Sequence, residues 1–394
     1  MTEVTSRRIG QLMDVLTPVM RFFNDSAYAR LADQPGIHDF AIGNPHELAL
    51  PGFVSALERQ LPPRNTHWYG YPSSLPEAQA AAARALSQRR GVTFAPEDIQ
   101  LTNGAFVALA VALTVATDPG DEVIFISPPW FFYESLIAAA GATPVRVKAK
   151  RGSFDLDLEA VAAAITPRTS AIIINSPNNP TGVIYSPETL TALGRLLTDA
   201  SARHSRPITL LSDESYSRIL FDGQPFHSPT TYYPNSLLIY TYGKTLLTPG
   251  QRIGYIALPP DLPERARLRD AIFVAQLMNG YAFPNALLQH ALADLEEITI
   301  DLAHLQHKRD WMVAALRQMG YELHVPQGTF YLLPRSPLAD DYAFTERLAE
   351  KNILILPGTI VEEPGYFRIS LTANDQMIEQ ALPGFAAALA EARQ

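Results

Sequence analysis

The 394-residue chain contains no cysteine, which removes disulfides and thiolate metal ligands from any account of its stability or chemistry. Positive charge is also scarce: 31 Lys and Arg stand against 40 Asp and Glu, for a net charge of −9. With no basic stripe to neutralise a phosphate backbone, nucleic acid is excluded as the expected partner and small metabolites are favoured. Long apolar runs are missing too. No stretch approaches the length of a membrane span, and the N-terminal "MTEVTSRRIGQLMDVLTPVM" lacks the continuous apolar core of a secretory signal, so a cytoplasmic location is expected. Lysine is rare enough to notice individually. Lys244 is the only one between Lys150 and Lys308.

What is present describes an ordinary folded chain. At 47% hydrophobic and 18% charged, its length supports a large domain with a smaller one, each with its own core. Short apolar runs end in polar or Gly/Pro-rich loops at "DEVIFISPPW" (121–130), "SAIIINSPNNPTG" (170–182), "PITLLSDESY" (207–216) and "NSLLIYTYGK" (235–244). Helical patterns such as "FVALAVALTVAT", "WFFYESLIAAAG" and "SPETLTALGRLLTDASARH" lie between them. This alternation predicts an α/β fold whose mostly parallel sheet is covered by helices on both faces. Ligands on such sheets gather at the carboxyl ends of the strands. From about residue 261 long helical stretches take over, including one continuous pattern over 285–320. The strand candidates "YELHVP", "GTFYLLPR", "NILILPG" and "YFRISL" follow, then a helix from about 374. The expected division is a large domain over 44–290 and a smaller α+β domain formed by 1–43 and 291–394.

The "GKT" at 243–245 invites a nucleotide-loop reading, but a Walker A loop needs glycine five places before Gly243, where Leu238 stands. The buried run "SLLIY" instead places Lys244 at or just beyond a strand's end. A lysine amine there can form a Schiff base with an aldehyde. Asp213, closing "PITLLSD", can hold a proton on a pyridine nitrogen. Arg252 lies eight residues beyond Lys244, past a Thr-Pro-Gly turn, and its guanidinium fork suits a phosphate. Asn179 in "SPNNPTG" is a donor suited to a phenolate oxygen, and the "NGA" turn opening a helix at Gly104 offers free N–H groups to an anion.

In these segments, and over essentially its whole length, the chain resembles the class I/II aminotransferases, pyridoxal-phosphate enzymes of fold type I. "SPNNPTG" is similar to the family's Asn-Pro-Thr-Gly loop, "SDESY" to its Asp-x-x-Tyr, "TYGKTLLTPGQR" to its Ser-x-x-Lys with an arginine eight residues on, and "GYFRISL" to the segment carrying its carboxylate-binding arginine. The resemblance implies that Lys244 forms the internal aldimine and shuttles the proton. It pairs Asp213 with the pyridinium and sets Asn179 and Tyr216 on the ring oxygen. Arg252, Thr241 and the backbone of Gly104, Ala105 and Phe106 would take the phosphate. It also implies that Trp130 stacks on the ring, that Tyr133 partners Asp213, and that Arg368 with the Gly43-Asn44 turn receives the substrate's α-carboxylate. Tyr69 in "HWYGYP" resembles a tyrosine lent across a homodimer interface to the neighbour's phosphate. Three departures stand out: Thr241 replaces the usual serine, Ser74 a glycine, and Ala78-Gln79 the common Leu-Arg.

The implied reaction is transfer of an amino group between an α-amino acid and a 2-oxo acid. Relatives on this scaffold also carry out β-elimination, decarboxylation, cyclisation or oxidation, and a non-enzymatic ligand sensor is an alternative of another class. Sensors of that kind can carry an N-terminal DNA-binding domain, for which too few residues precede the fold here. No second arginine is recognisable for a side-chain carboxylate, so a dicarboxylate-specific enzyme is not expected. Phe22, Phe23, Tyr71 and Phe283 are candidates for a neutral or aromatic pocket, and equally for core.

Overall fold

In a computed structural model that describes residues 4–394, the four central apolar runs become neighbouring parallel strands, Glu122–Ser127, Thr169–Asn175, Thr209–Asp213 and Ser236–Thr241. Thr143–Lys148 adds a parallel edge beside Glu122–Ser127. On the opposite side Gly254–Ala257 runs antiparallel to Ser236–Thr241 and is followed by Ile99–Thr102, which completes seven strands.

Both faces of this sheet are covered, so its central strands Glu122–Ser127, Thr169–Asn175 and Ser236–Thr241 are buried along their length. Successive residues serve opposite sides. Val123 and Phe125 pack with Ala108 and Leu109 of helix Gly104–Ala116, whereas Ile124 and Ile126 pack with Leu193 and Leu197 of helix Pro187–His204. That second helix starts where its sequence says it must: Ser186 accepts a hydrogen bond from Thr189 N–H at 3.2 Å, and Pro187 follows in the first helical position.

A three-stranded antiparallel ladder of Leu356–Pro357, Phe367–Ser370 and Tyr331–Leu332 forms the centre of a smaller unit. Helices Leu302–Met319, Asp341–Ala349 and Asp375–Ala392 enclose it around Phe344, Ile369 and Phe385. The N-terminal segment joins here, because His38–Asp39 pairs in parallel with Ile353–Leu354. Helix Arg7–Asp25 meanwhile reaches over to helix Tyr133–Ala139, beside the large sheet.

Two expectations change. The helical pattern over 285–320 is cut into Ala286–His290, Leu292–Glu296 and Leu302–Met319. Asn285 and Asp301 cause new starts, their side chains accepting from Leu288 N–H at 3.0 Å and His304 N–H at 2.9 Å. "YELHVP" forms no strand and leaves only a bridge from Leu323 to Pro334. Beyond the division expected at 290/291, Leu292 and Leu295 still pack with Ala82 and Leu86 of helix Pro76–Arg90, next to the large sheet. No helix among the described residues is long and apolar enough to cross a membrane.

Candidate active site

Three adjacent strands deliver the chemistry. Strand Ser236–Thr241 turns at once into the short helix Tyr242–Thr245, so Lys244 stands just beyond the strand's carboxyl end. Asp213 is the last residue of the neighbouring strand, and Asn175 ends the one after that. The Asn175 amide donates to the Asp213 carbonyl at 2.9 Å, and its oxygen accepts from Asn179 N–H at 2.7 Å, which fixes the loop carrying Asn179.

These side chains open into one cavity of about 170 Å³. Lys244, Asp213, Asn179 and Tyr216 lie on its wall. Thr241, Arg252, Ala105, Phe106 and Trp130 line it too, whereas Gly104, Arg368, Gly43, Asn44 and Tyr69 do not. Lys244 Nζ makes no hydrogen bond or ion pair with the described residues. It sits 5.7 Å from the Tyr216 ring centroid and 5.9 Å from that of Phe330.

Asp213 is buried and held by three donors: Tyr133 Oη at 2.6 Å, Ser215 Oγ at 2.6 Å and Ser215 N–H at 3.1 Å. Burial pushes its carboxyl above the usual range, while the bonds from Ser215 and Tyr133 and the charge of Lys244 oppose that rise. A cation placed against Asp213 would lower that pKa further, by favouring the charged carboxylate.

At the other end of the cavity Arg252 meets the start of helix Gly104–Ala116. Gly104 has φ +82°, so glycine is favoured by conformation, and a Cβ there would lie 2.9 Å from Arg252 Nη2 and displace the guanidinium. Arg252 has no acidic partner among the described residues, and burial pulls its pKa downward. A helix N-terminus and an uncompensated guanidinium together form an anion seat. Thr241 Oγ1 donates to the Ile253 carbonyl at 3.3 Å nearby.

Arg368, on strand Phe367–Ser370, is 2% exposed. It donates from Nη1 to Asn179 Oδ1 at 3.1 Å and from Nη2 to the Ala41 carbonyl at 2.9 Å, and its Nε is buried without a partner. The Asn179 amide is thereby oriented with its NH₂ directed away from the arginine. Gly43 follows closely, while Asn44 is exposed.

Sequence reasoning missed Tyr331. Its ring lies 4.1 Å from the Arg368 guanidinium carbon, and its hydroxyl would be 2.5 Å from a Cβ on Gly43. Burial works against ionisation of this phenol, but the charges of Arg368 and Lys244 outweigh it and pull the pKa below the ordinary value. Burial, followed by the neighbouring Tyr331, holds the Tyr216 phenol well above its own. The signal available was the aromatic pair in "GTFYLLPR", indistinguishable from core.

Tyr69 stands apart from this cavity. It is half exposed, and its hydroxyl donates to the Leu61 carbonyl. The departures around it tie the loop to the sheet edge: Ser74 Oγ accepts from Leu101 N–H at 3.0 Å, and Gln79 donates to the Ile99 carbonyl at 2.8 Å. Of the proposed pocket aromatics, Phe22 is core, stacked 4.9 Å from Tyr28. Tyr71 and Phe283 are exposed and lie 5.3 Å apart.

Residues 35–385 match the family described as aminotransferase class I and II. The chain belongs to that family. It is 32% identical over 337 residues to the aspartate/prephenate aminotransferase of Thermus thermophilus, covering 82% of this chain and 84% of that one. It is 29% identical over 322 residues to the aspartate aminotransferase of Thermotoga maritima, covering 80% and 81%. A solved amino transferase from Eubacterium rectale superposes with a TM-score of 0.89 at 30% identity, covering 100% of both chains. The aminotransferase fold, with its mostly parallel sheet and helices on both faces, is therefore shown by sequence and by shape. The enzyme class, transfer of an amino group between an amino acid and an oxo acid, follows from the same matches.

Proposed function

We propose that this aminotransferase works with pyridoxal 5′-phosphate, bound covalently through Lys244, on α-amino acids and 2-oxo acids. The observation that carries the reading is the one cavity lined by an unpaired lysine amine, a buried carboxylate and an uncompensated guanidinium. The residues fit the cofactor on their own chemistry. Gly104 leaves the room that a side chain would take from Arg252, and the buried Arg368 Nε has no hydrogen-bond partner among the described residues.

In this reading Arg252, Thr241 and the first N–H groups of helix Gly104–Ala116 hold the phosphate. Asp213, backed by Tyr133 and Ser215, keeps a proton on the ring nitrogen. Asn179 and Tyr216 would hydrogen-bond the ring oxygen, and Trp130 would pack against the ring. When bound, pyridoxal phosphate supplies an aldehyde for the amino group and a ring that withdraws electrons from the substrate's Cα. Arg368 grips the α-carboxylate, which fixes the Cα–H bond relative to that ring, and positioning decides which bond breaks. Lys244, as a free amine at this position, would be the group that takes the proton from Cα and gives it back to the carbon that was the cofactor's aldehyde.

Dimerisation belongs to the same reading. Tyr69, exposed and outside its own chain's cavity, would reach the phosphate site of a second copy. The test is to load the purified protein with pyridoxal phosphate, add single amino acids and identify the oxo acid released. Oxo acid in a stoichiometric half-reaction, and its reversal by a second oxo acid, is expected. Ammonia or carbon dioxide as the product would overturn transamination in favour of elimination or decarboxylation.

A further inference from the structure

A buried carboxylate that the reading above leaves unused is one side chain away from the helix that carries Lys244. Glu296 closes helix Leu292–Glu296 and is 6% exposed. Its Oε1 accepts from Tyr242 Oη at 2.5 Å and from Arg89 Nη2 at 3.3 Å, and its Oε2 accepts from Arg89 Nη1 at 2.9 Å and from Arg218 Nη1 at 3.1 Å. A buried carboxylate is tolerated when it is both paired and hydrogen-bonded, and the two arginines already balance this charge. The phenol adds a further arm, which runs to the turn bearing Lys244.

Tyr242 opens helix Tyr242–Thr245 and is completely buried. A single helical turn does not hold itself in water, so the directions of its side chains are set by what it touches. Residues two apart on a helix diverge by about 200°, which sends Tyr242 to the face opposite Lys244. The cavity agrees, with Lys244 on its wall and Tyr242 off it. The other end of the turn is tied as well: Thr245 Oγ1 lies 2.8 Å from Tyr240 Oη, and the Thr245 carbonyl accepts from Ile300 N–H at 3.0 Å. Burial and then the Glu296 charge hold the Tyr242 phenol well above its ordinary pKa, so it stays a donor.

We propose that Glu296 is a positioning residue for Lys244: by accepting from Tyr242, its carboxylate fixes the rotation of this one-turn helix and so the direction in which the lysine amine enters the cavity. This rests on the reading of Lys244 as the covalent and proton-moving group. An ion cluster that merely held helix Pro76–Arg90 in place would need Arg89, in that helix's last turn, and would have no use for the phenol.

Glu296→Gln would leave Arg89 and Arg218 without a counter-charge and endanger the fold, so the probe is Tyr242→Phe, which keeps the ring and removes the hydroxyl alone. Its control is Arg89→Gln, which disturbs the same carboxylate from another side. Three quantities are followed on the full chain: the rate at which visible absorption develops when pyridoxal phosphate is added to the apo-protein, kcat and KM with the most active amino acid of the test above, and the melting temperature. Tyr242→Phe should slow attachment and lower kcat by about tenfold while KM stays within about twofold, because a misplacement of about 1 Å can cost about 10²-fold. Arg89→Gln should lose at least as much melting temperature and yet slow attachment by less than about threefold. Attachment or kcat at the parent value in Tyr242→Phe, or slowing that tracks the melting temperature in both variants, overturns the proposal and leaves Lys244 in its role. Borohydride labelling of a lysine other than 244 in the parent overturns the reading of Lys244, and the proposal with it.

Discussion

The ring of Tyr331 lies 4.1 Å from the guanidinium carbon of Arg368, while the phenol edge approaches Gly43. A guanidinium over an aromatic face gains about 0.5–2 kcal/mol, and here the ring also fixes the plane in which Arg368 meets a carboxylate. Tyr331→Ala should raise KM for an amino-acid substrate about 3- to 30-fold with a smaller change in kcat. Tyr331→Phe, which keeps the ring, should restore most of the loss. Steady-state kinetics of both variants check this, and equal damage from both would show that the hydroxyl carries the effect.

Lys244 is unpaired, so its removal leaves no buried partner stranded. Lys244→Ala should cost at least about 10² to 10⁴-fold in turnover, the range of a general acid–base group, and change the melting temperature of the apo-protein little. Borohydride treatment followed by peptide mass mapping should label residue 244 in the parent and nothing in the variant. A labelled lysine elsewhere would move the covalent site.

The Asp213 carboxyl is raised in the folded protein by burial. The folded state then binds a proton over a range where the unfolded chain has released it. The stabilisation is complete below the unfolded value, near the ordinary carboxylate pKa, and is lost as pH rises through the folded one. The apo-protein should therefore lose stability relative to Asp213→Asn as pH climbs from that ordinary value upward. Bound cofactor should flatten the difference by supplying a cationic partner. Paired melting curves from pH 3 upward decide it, and a pH-independent difference in the apo-protein would mean that Asp213 is not shifted.

Gly104→Ala forces an L-residue into a left-handed conformation, at about 1–2 kcal/mol, and drives a methyl group into Arg252. Cofactor affinity should fall about tenfold or more, measured by equilibrium dialysis, with a small loss of apo-protein stability. Unchanged affinity would remove this helix start from the phosphate seat.

If Tyr69 serves a second copy, each subunit's site is built from both chains, and a two-fold interface builds or breaks both together. Tyr69→Ala and Lys244→Ala should each be impaired, and dissociating and remixing them should restore activity, because a mixed dimer concentrates both lesions in one site. Confirmed heterodimers that recover nothing would place Tyr69 within its own subunit.

How much of this could be read in advance depended on whether a residue broke a pattern. Asp213 and Lys244 were legible because a buried apolar run ended in a charge, which an apolar strand has no structural reason to do. Arg368 and Asn179 were legible through their segments, but the hydrogen bond joining them spans 189 residues and has no trace in either. Strand Gly254–Ala257 was hidden because four residues behind a Thr-Pro-Gly turn show too little period to count. The breaks near Asn285 and Asp301 were written in capping residues that the longer helical rhythm obscured. Tyr331 could not be found at all. It is 3% exposed and satisfies every rule for a core aromatic while standing under the arginine.

The close approach of the Tyr331 hydroxyl to Gly43 also limits how this protein can be altered. A Cβ at 43 would meet that oxygen at 2.5 Å and the Phe330 ring at 3.0 Å. Any survey that changes one position at a time will record 43 as intolerant of every side chain and will credit the backbone for it. The restriction belongs to the neighbour instead. Paired libraries at 43, 330 and 331 are where new carboxylate-site shapes become accessible.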